Sequence, residues 1–157
     1  MNMNDPHERL RYHVTGAIER GEVKPIVELI SMQGAFDKAA LGVIKQGWPA
    51  TNDLGTCAYY AKDPDTGVVR YCGIGHLLPD DETRIRWDNH VGALMDYSVS
   101  NDELNKVGLG HLPLKFLHEL QRAHDGAQEA GDDFLATFKA KMLAVAERWD
   151  LDPSVVR

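Results

Sequence analysis

The fold is decided by residues 55–80, GTCAYYAKDPDTGVVRYCGIGHLLPD, which carry the only strong β signal in the chain and both of its cysteines. Two short runs rich in aromatic and β-branched residues flank a turn. Pro64 and Gly67 suit that turn, because proline presets φ and glycine accepts a positive φ. The pattern predicts a two-stranded antiparallel hairpin with strands at about 56–61 and 68–74.

The register of this hairpin decides where the two thiols lie. A symmetric register about the turn places Ala61 opposite Val68 and Cys57 opposite Cys72, with the Cβ atoms of each pair about 4.5–5.5 Å apart. A bulge at Gly67 would instead shift the pairing by one residue and separate the thiols. Because an isolated hairpin is only marginally stable in water, the ribbon must pack on helices.

Helical periodicity dominates the rest of the sequence. The clearest stripe is the last, in which apolar residues recur at steps of four, four, three and four and indicate one buried helix face: Phe134, Phe138, Met142, Val145 and Trp149. Spacing and capping residues predict further helices at 10–21, 25–30 and 36–47, and after Pro79, Ser100 and Pro113. The sequence therefore predicts a single domain, 1–157, of the α+β class: mostly helical with one hairpin.

Composition and charge argue against nucleic-acid-binding, membrane and secreted proteins. The chain has 157 residues, is 43% hydrophobic and 26% charged, and carries a formal charge of −7. No clustered Lys and Arg are present, which argues against direct nucleic-acid binding. No apolar run approaches the roughly 20 residues that cross a bilayer, and the first residues lack the apolar core of a secretory signal. We therefore expect a cytoplasmic protein with reduced thiols and no membrane partner.

Both cysteines are candidate metal ligands. Cys57, Cys72 and His76, with His90 or His111 as a fourth ligand, offer the sulfur and nitrogen donors that zinc prefers. The paired Cys-x-x-Cys spacing of a zinc site is absent, however, and free cysteines are often simply buried. We expect no cofactor, with zinc at these residues as the alternative.

Nucleophilic and acid–base sites are incomplete in the sequence. A reactive Cys57 would need a base such as His90 or His111 close to its sulfur. His124 and Asp125 are consecutive on a helix and point about 100° apart, so they are not expected to form a dyad. His124 is expected to be a half-buried, hydrogen-bonded histidine, and His118 a surface residue. No catalytic residue is assigned.

Three short motifs carry a resemblance to a known group: Cys57-Ala58-Tyr59, then Arg70-Tyr71-Cys72-Gly73-Ile74-Gly75-His76-Leu77-Leu78-Pro79-Asp80, then Leu120-Gln121-Arg122-Ala123-His124-Asp125. Over residues 36–150 the chain resembles small proteins encoded by tailed bacteriophages and prophages, a group without an established activity. The resemblance implies a phage or prophage origin and a location in the host cytosol. It carries no mechanism.

Two functions remain as hypotheses. The first is a phage accessory protein that binds a host protein, as an inhibitor or anti-defence factor, without catalysis. Its contact residues would include exposed aromatic side chains, because these are enriched in binding patches: Trp48, Tyr59, Tyr60, Tyr71 and Trp87. Arg70 and His76 are the further candidate binding residues. The alternative is a small-molecule-binding protein or a zinc- or thiol-dependent enzyme, with its site at the hairpin exit near Cys57, Cys72 and His76.

Overall fold

The structure is a computed structural model that describes residues 29–52, 55–91 and 99–157, with the side chains of 90 and 91 left out. The chain divides into two units, Met1–Ile30 and Ser31–Arg157. The helices predicted at 10–21 and 25–30 lie wholly or largely outside the described residues. Everything below concerns the second unit, which has the predicted α+β architecture of helices and one two-stranded antiparallel sheet.

Helix α1 spans Met32–Gln46, so it begins four residues before the predicted start at 36 and ends next to the predicted Gly47 cap. The Ser31 hydroxyl accepts a hydrogen bond from the Gly34 N–H (2.9 Å), which satisfies one of the free donors of the first turn. At the other end Gly47 has a φ of 79° and donates its N–H to Val43, as expected of a left-handed glycine cap. The buried face of α1 contains Ala35, Phe36, Ala39, Ala40 and Val43.

The hairpin is confirmed, and its ladder is shorter than predicted. Strands β1 (Ala61–Lys62) and β2 (Val69–Arg70) pair antiparallel, with Ala61 opposite Arg70. The symmetric register, which placed Ala61 opposite Val68, is therefore wrong by two residues.

The turn explains this shift in register. The Asp63 carboxylate accepts hydrogen bonds from the N–H groups of Asp65 (2.8 Å) and Thr66 (3.1 Å). The Asp63 N–H bonds to the Val68 carbonyl, and Gly67 lies at a φ of 73°. Because the turn is built around the Asp63 side chain, it includes Val68, which the symmetric register had paired with Ala61. Cys57 consequently lies outside the ladder and forms an isolated bridge with Thr51.

Two short helices begin at the predicted capping residues. Helix α2 (Asp81–Arg86) is capped by Asp80, whose carboxylate accepts from the Thr83 N–H at 2.8 Å, and it continues into a π-helical turn, Trp87–Val91. Helix α3 (Asn101–Lys106) is capped by the Ser100 hydroxyl. The Glu103 carboxylate, expected to bind back to the cap, instead accepts from Arg86 Nη2 at 2.8 Å, an ion pair that ties α2 to α3.

The last third forms a helical hairpin. Helix α4 (Leu114–Ala127) is followed by a 3-10 segment (Gln128–Asp133) with Gly131 at a φ of 59°, and then by helix α5 (Phe134–Arg148). The predicted stripe of α5 is buried at its first four positions and half-buried at Trp149. Two shorter 3-10 turns are Gly75–Leu77 and Ser154–Val156.

The core is made largely by aromatic and branched side chains from α1, α4 and α5. Its largest fully buried members are Trp87, Phe36, Phe116, Phe134, Phe138, Ile74, Leu78, Leu109, Leu117, Leu120 and Met142. None of the helices in the described ranges is both long enough and apolar enough to cross a bilayer.

Candidate functional site

The described segments before and after the hairpin, 47–52, 55–60 and 71–80, have little regular structure. Buried backbone N–H and carbonyl groups outside helices and ladders need other partners. Here polar side chains from the surrounding helices supply those partners. The candidate site is built from these contacts.

The amide of Gln46, at the end of α1, binds the chain on both sides of the hairpin. Its Oε1 accepts from the Tyr71 N–H (3.0 Å) and its Nε2 donates to the Tyr71 carbonyl (2.7 Å). The same Nε2 also donates to the Trp48 carbonyl at 3.0 Å. One side chain therefore fixes Trp48 and Tyr71 relative to each other.

His76 is held by the same amide. Its Nε2 lies 3.0 Å from Gln46 Oε1, an acceptor, so this nitrogen carries the proton. The ring packs over Gly42, where any Cβ would overlap the imidazole. Burial, and then the nearby Arg84 guanidinium, lower the pKa of His76 to about 4. His76 is therefore a neutral structural donor at pH 7.

Arg84 of α2 fixes the hairpin exit, and nothing in the sequence pattern indicated it. Its Nε donates to the Gly75 carbonyl (2.6 Å) and its Nη2 to the Leu78 carbonyl (2.8 Å). The guanidinium carbon also lies 3.9 Å from the centre of the Tyr71 ring, a cation–π distance. Arg84 thus packs against the face of the Tyr71 ring and donates hydrogen bonds to two backbone carbonyls.

His124 and Asp125 do interact, contrary to the sequence prediction. His124 Nδ1 lies 3.0 Å from Asp125 Oδ1. Side-chain rotation brings the two polar groups together although their Cβ atoms diverge on the helix. His124 Nε2 accepts the Ala50 N–H at 3.0 Å, so the proton of this fully buried ring sits on Nδ1. His118, predicted to lie on the surface, is buried as well.

Cys57 lies beside this pair. The ligand atoms of Cys57, His124 and Asp125 all fall within 4.8 Å of one another. The Cys57 thiol is 2.8 Å from the Gln128 side-chain oxygen, to which it donates. Burial, followed by the charge of Asp125, raises the pKa of Cys57 far above its ordinary value. The thiol is therefore protonated at neutral pH.

This cluster fits neither a metal nor a nucleophile. Zinc takes a thiolate and a histidine lone pair. On His124, Nε2 already receives the Ala50 N–H, and Nδ1 holds the proton shared with Asp125. A general base for Cys57 would need that same lone pair. These side chains instead make structural hydrogen bonds, Cys57 to Gln128 and His124 to Asp125 and to the Ala50 N–H.

The predicted metal set of Cys57, Cys72 and His76 is not brought together. Among the described residues, the one metal-sized group of such side chains is Cys57 with His124 and Asp125. Cys72 is fully buried, and its sulfur accepts the Gly75 N–H at 3.2 Å. Burial raises the pKa of its thiol well above the ordinary value. Cys57 lies outside the ladder, so the two cysteines do not face each other across it.

A cleft of about 580 Å³ opens next to Cys57. Asp88 is its main charged group, and the two carboxylate oxygens of Asp88 accept from the N–H groups of Tyr59 (2.9 Å) and Tyr60 (3.1 Å). Burial raises the pKa of Asp88. The lining also includes Asn52, Thr56, Ala58, Ile85 and Asn89. Asp88 lies in a stretch whose periodicity is ambiguous, so sequence reasoning missed it.

The predicted surface aromatics separate into two groups. Trp87 is fully buried and Tyr59 is 5% exposed, with their rings in a T-shaped contact at 5.4 Å. The surface exposure expected of these two side chains is therefore wrong, although Tyr59 contributes to the lining of the cleft. Tyr60 and Tyr71 are partly exposed, with ring centres 6.2 Å apart, and Arg70 is likewise half-buried. Trp48 is 50% exposed.

The name aromatic surface is used for Tyr60 and Tyr71, whose rings are in contact, together with the exposed Trp48. Tyr60 also lines the cleft, and Gln46 binds the backbone carbonyls of both Trp48 and Tyr71. No protein family, curated protein or solved structure matches the chain at a significant level.

Proposed function

We propose that this protein is a phage- or prophage-encoded accessory protein that binds a host protein in the host cytosol, as an inhibitor or anti-defence factor, without catalysis of its own. The phage origin rests on the sequence resemblance. The binding mode rests on one structural observation, the aromatic surface at the rim of the cleft.

The aromatic surface has the properties of an energetic centre in a protein interface. Such centres combine aromatic side chains with an adjacent depression that takes an anchor from the partner. Tyr60 is part of both, because its ring contacts Tyr71 and lines the cleft. Gln46 and Arg84 hold the backbone and the ring of Tyr71 in place, so little side-chain entropy remains to be lost on binding.

The chemistry of the buried polar groups favours binding over catalysis. Each thiol is protonated, and the ring nitrogens of His124 are engaged in hydrogen bonds. An enzyme site would instead present an activated nucleophile or a free base. The overall charge of −7 would speed association with a basic face of a partner, in a salt-dependent way.

The test is capture from a bacterial lysate followed by affinity measurement. Wild-type protein is expected to retain one host protein at a stoichiometric ratio. With that partner purified, Trp48→Ala and Tyr60→Ala should each weaken binding by at least about tenfold, the usual cost of removing an aromatic anchor. Leu143→Ala is the control, because Leu143 is 37% exposed on α5, outside the aromatic surface, and it should change the affinity by less than about twofold.

Two results would contradict the proposal. One is the absence of a stoichiometric partner in lysates of several hosts. The other is a partner whose affinity falls equally for Leu143→Ala and for the two aromatic variants, because binding would then use a different face.

A second candidate function is small-molecule binding in the cleft. Its volume of about 580 Å³ falls in the range of known ligand sites, roughly 300–1,000 Å³. Native mass spectrometry of the purified protein should then show a bound small molecule that is lost in Ile85→Trp, which fills the cleft. If the spectrum showed only protein without a bound molecule, small-molecule binding in the cleft would be ruled out. The zinc- or thiol-enzyme form of the alternative gains no support from the geometry of Cys57 and His124.

A further inference from the structure

A second depression lies between α4 and α5 and has a different character. It is a groove of about 430 Å³ lined by one stripe from each helix: Glu119, Arg122, Ala123, Lys141, Ala144, Val145 and Arg148. The spacings of three and four residues place each stripe on a single helix face. Three cations and one carboxylate therefore meet in one groove, on a chain whose formal charge is −7.

The single carboxylate of this lining is already engaged. Glu119 Oε1 accepts from Arg148 Nε at 2.7 Å, and Glu119 Oε2 accepts from Trp149 Nε1. Arg122 and Lys141 form no ion pair with any carboxylate in the described part of the chain. Two cations thus line the groove without an ion pair to a carboxylate of the described residues, while Glu119 is engaged by Arg148 and Trp149.

Small residues keep the groove open between these cations. Ala123 and Ala144 lie in its lining, and Gly126, one turn beyond Ala123, leaves space for the side chain of Lys141. A Cβ at Gly126 would lie 3.2 Å from Lys141 Cε and 3.3 Å from its Nζ. The Lys141 ammonium is therefore close to the surface of α4, the helix that carries Arg122.

We propose that this groove binds a small phosphorylated anion with two adjacent negative groups, of the pyrophosphate type. The Arg122 guanidinium can bind one phosphoryl group through two parallel N–H donors, and the Lys141 ammonium the second as a point charge. The groove is large enough to admit such a ligand, and no aromatic side chain of the lining would stack on a base. This site is independent of the aromatic surface.

Calorimetric titration with pyrophosphate tests the proposal. At about 0.02 M salt the wild-type protein should bind one equivalent, and the affinity should fall several-fold at about 0.3 M salt, because exposed charges are screened. Arg122→Gln should weaken binding by about 5–10-fold and Lys141→Gln by about 3–5-fold, since a bidentate contact is lost in the first case. The double variant should not bind.

Matched controls are available on the same two helices. Lys115→Gln on α4 and Lys139→Gln on α5 make the same change in net charge outside the groove, and each should weaken binding by less than about twofold. If the control variants lost as much affinity for pyrophosphate as the groove variants, the binding would depend on net charge alone. That result would overturn the site. Equal affinity for succinate and pyrophosphate would overturn the phosphate assignment.

Discussion

The side-chain amide of Gln46 pairs with the backbone of Tyr71 through two hydrogen bonds, at 2.7 and 3.0 Å, much as a neighbouring strand would. The hairpin ladder ends at Arg70, and at the next residue the Gln46 amide replaces the backbone partner that the ladder would have supplied. It anchors the exit of the hairpin to α1 and thereby places the aromatic surface.

Gln46→Ala should destabilise the protein by about 2–3 kcal/mol, because it leaves partly buried N–H and carbonyl groups of Tyr71 without partners. Urea unfolding followed by circular dichroism measures the change. Gln33→Ala is the matched control, since Gln33 makes the same two-bond contact with the Asp152 backbone in an exposed setting. Its cost should be about 1 kcal/mol or less. If both variants lost the same free energy of unfolding, the Gln46 contact would contribute no more to stability than the exposed Gln33 contact.

Arg84→Lys should cost about 2 kcal/mol. A lysine cannot reproduce the fork that reaches both Gly75 and Leu78, and the two carbonyls would lose charge-assisted bonds. Arg86→Lys is the control, because Arg86 is 41% exposed and binds Glu103 through a single Nη2 contact, and it should cost less than about 0.5 kcal/mol. Thermal unfolding measures the stability of both variants. An Arg84→Lys protein as stable as wild type would show that the two hydrogen bonds of Arg84 do not stabilise the fold.

Stability should fall with acidification between pH 6.5 and about 4 because of His76. The unfolded chain binds a proton at the ordinary pKa of 6.5, whereas the folded protein holds that pKa at about 4. The unfolded state therefore binds more protons in this window, so the contribution is complete above pH 6.5 and is lost as the pH falls to 4. The loss amounts to about 3 kcal/mol at most.

His76→Gln isolates this effect, because glutamine does not titrate and keeps a donor for Gln46. The variant should show a flatter dependence of unfolding free energy on pH over the same window. The Asp88 carboxyl acts in the opposite direction, since its raised pKa favours the folded state on acidification. A pH profile unchanged by His76→Gln would assign the dependence to other groups.

Both thiols should resist alkylation in the native protein. Burial and the charge of Asp125 disfavour the thiolate of Cys57, and Cys72 is fully buried. Since only the thiolate reacts, iodoacetamide at pH 8 should label native Cys57 at least about 100-fold more slowly than the unfolded chain. Intact-mass measurements give the rates. Asp125→Asn should speed the reaction of Cys57 by removing the neighbouring charge, and rapid labelling of native wild-type protein would contradict the structural role.

Local sequence signals were sufficient for the elements themselves. The carboxylate of Asp80 and the hydroxyl of Ser100 cap their helices because an N-cap depends on neighbouring residues alone. The same holds for the left-handed Gly47 and for the α5 stripe, in which burial follows from spacing. The Ser31 cap of α1 is equally local, but it was missed and the helix was expected to begin at 36. The hairpin was predicted on equally local grounds.

The candidate site was harder to predict because its parts are distant in sequence. Ala50 and His124, or Gln46 and Tyr71, meet only when the helices pack. The exposure of an aromatic residue is also a tertiary property, which is why Trp87 proved to be buried while Trp48 is exposed. The groove cations Arg122 and Lys141 are separated along the chain, so no basic cluster was visible in the sequence.

The sequence by itself determined that this protein is a mostly helical α+β chain with a turn at Asp63–Gly67, since spacing, caps and turn residues act over a few positions. Tertiary structure decided the partners of the irregular flanks of the hairpin and the protonated state of its thiols. These depend on which side chains reach a given N–H, carbonyl or sulfur, and packing alone settles that.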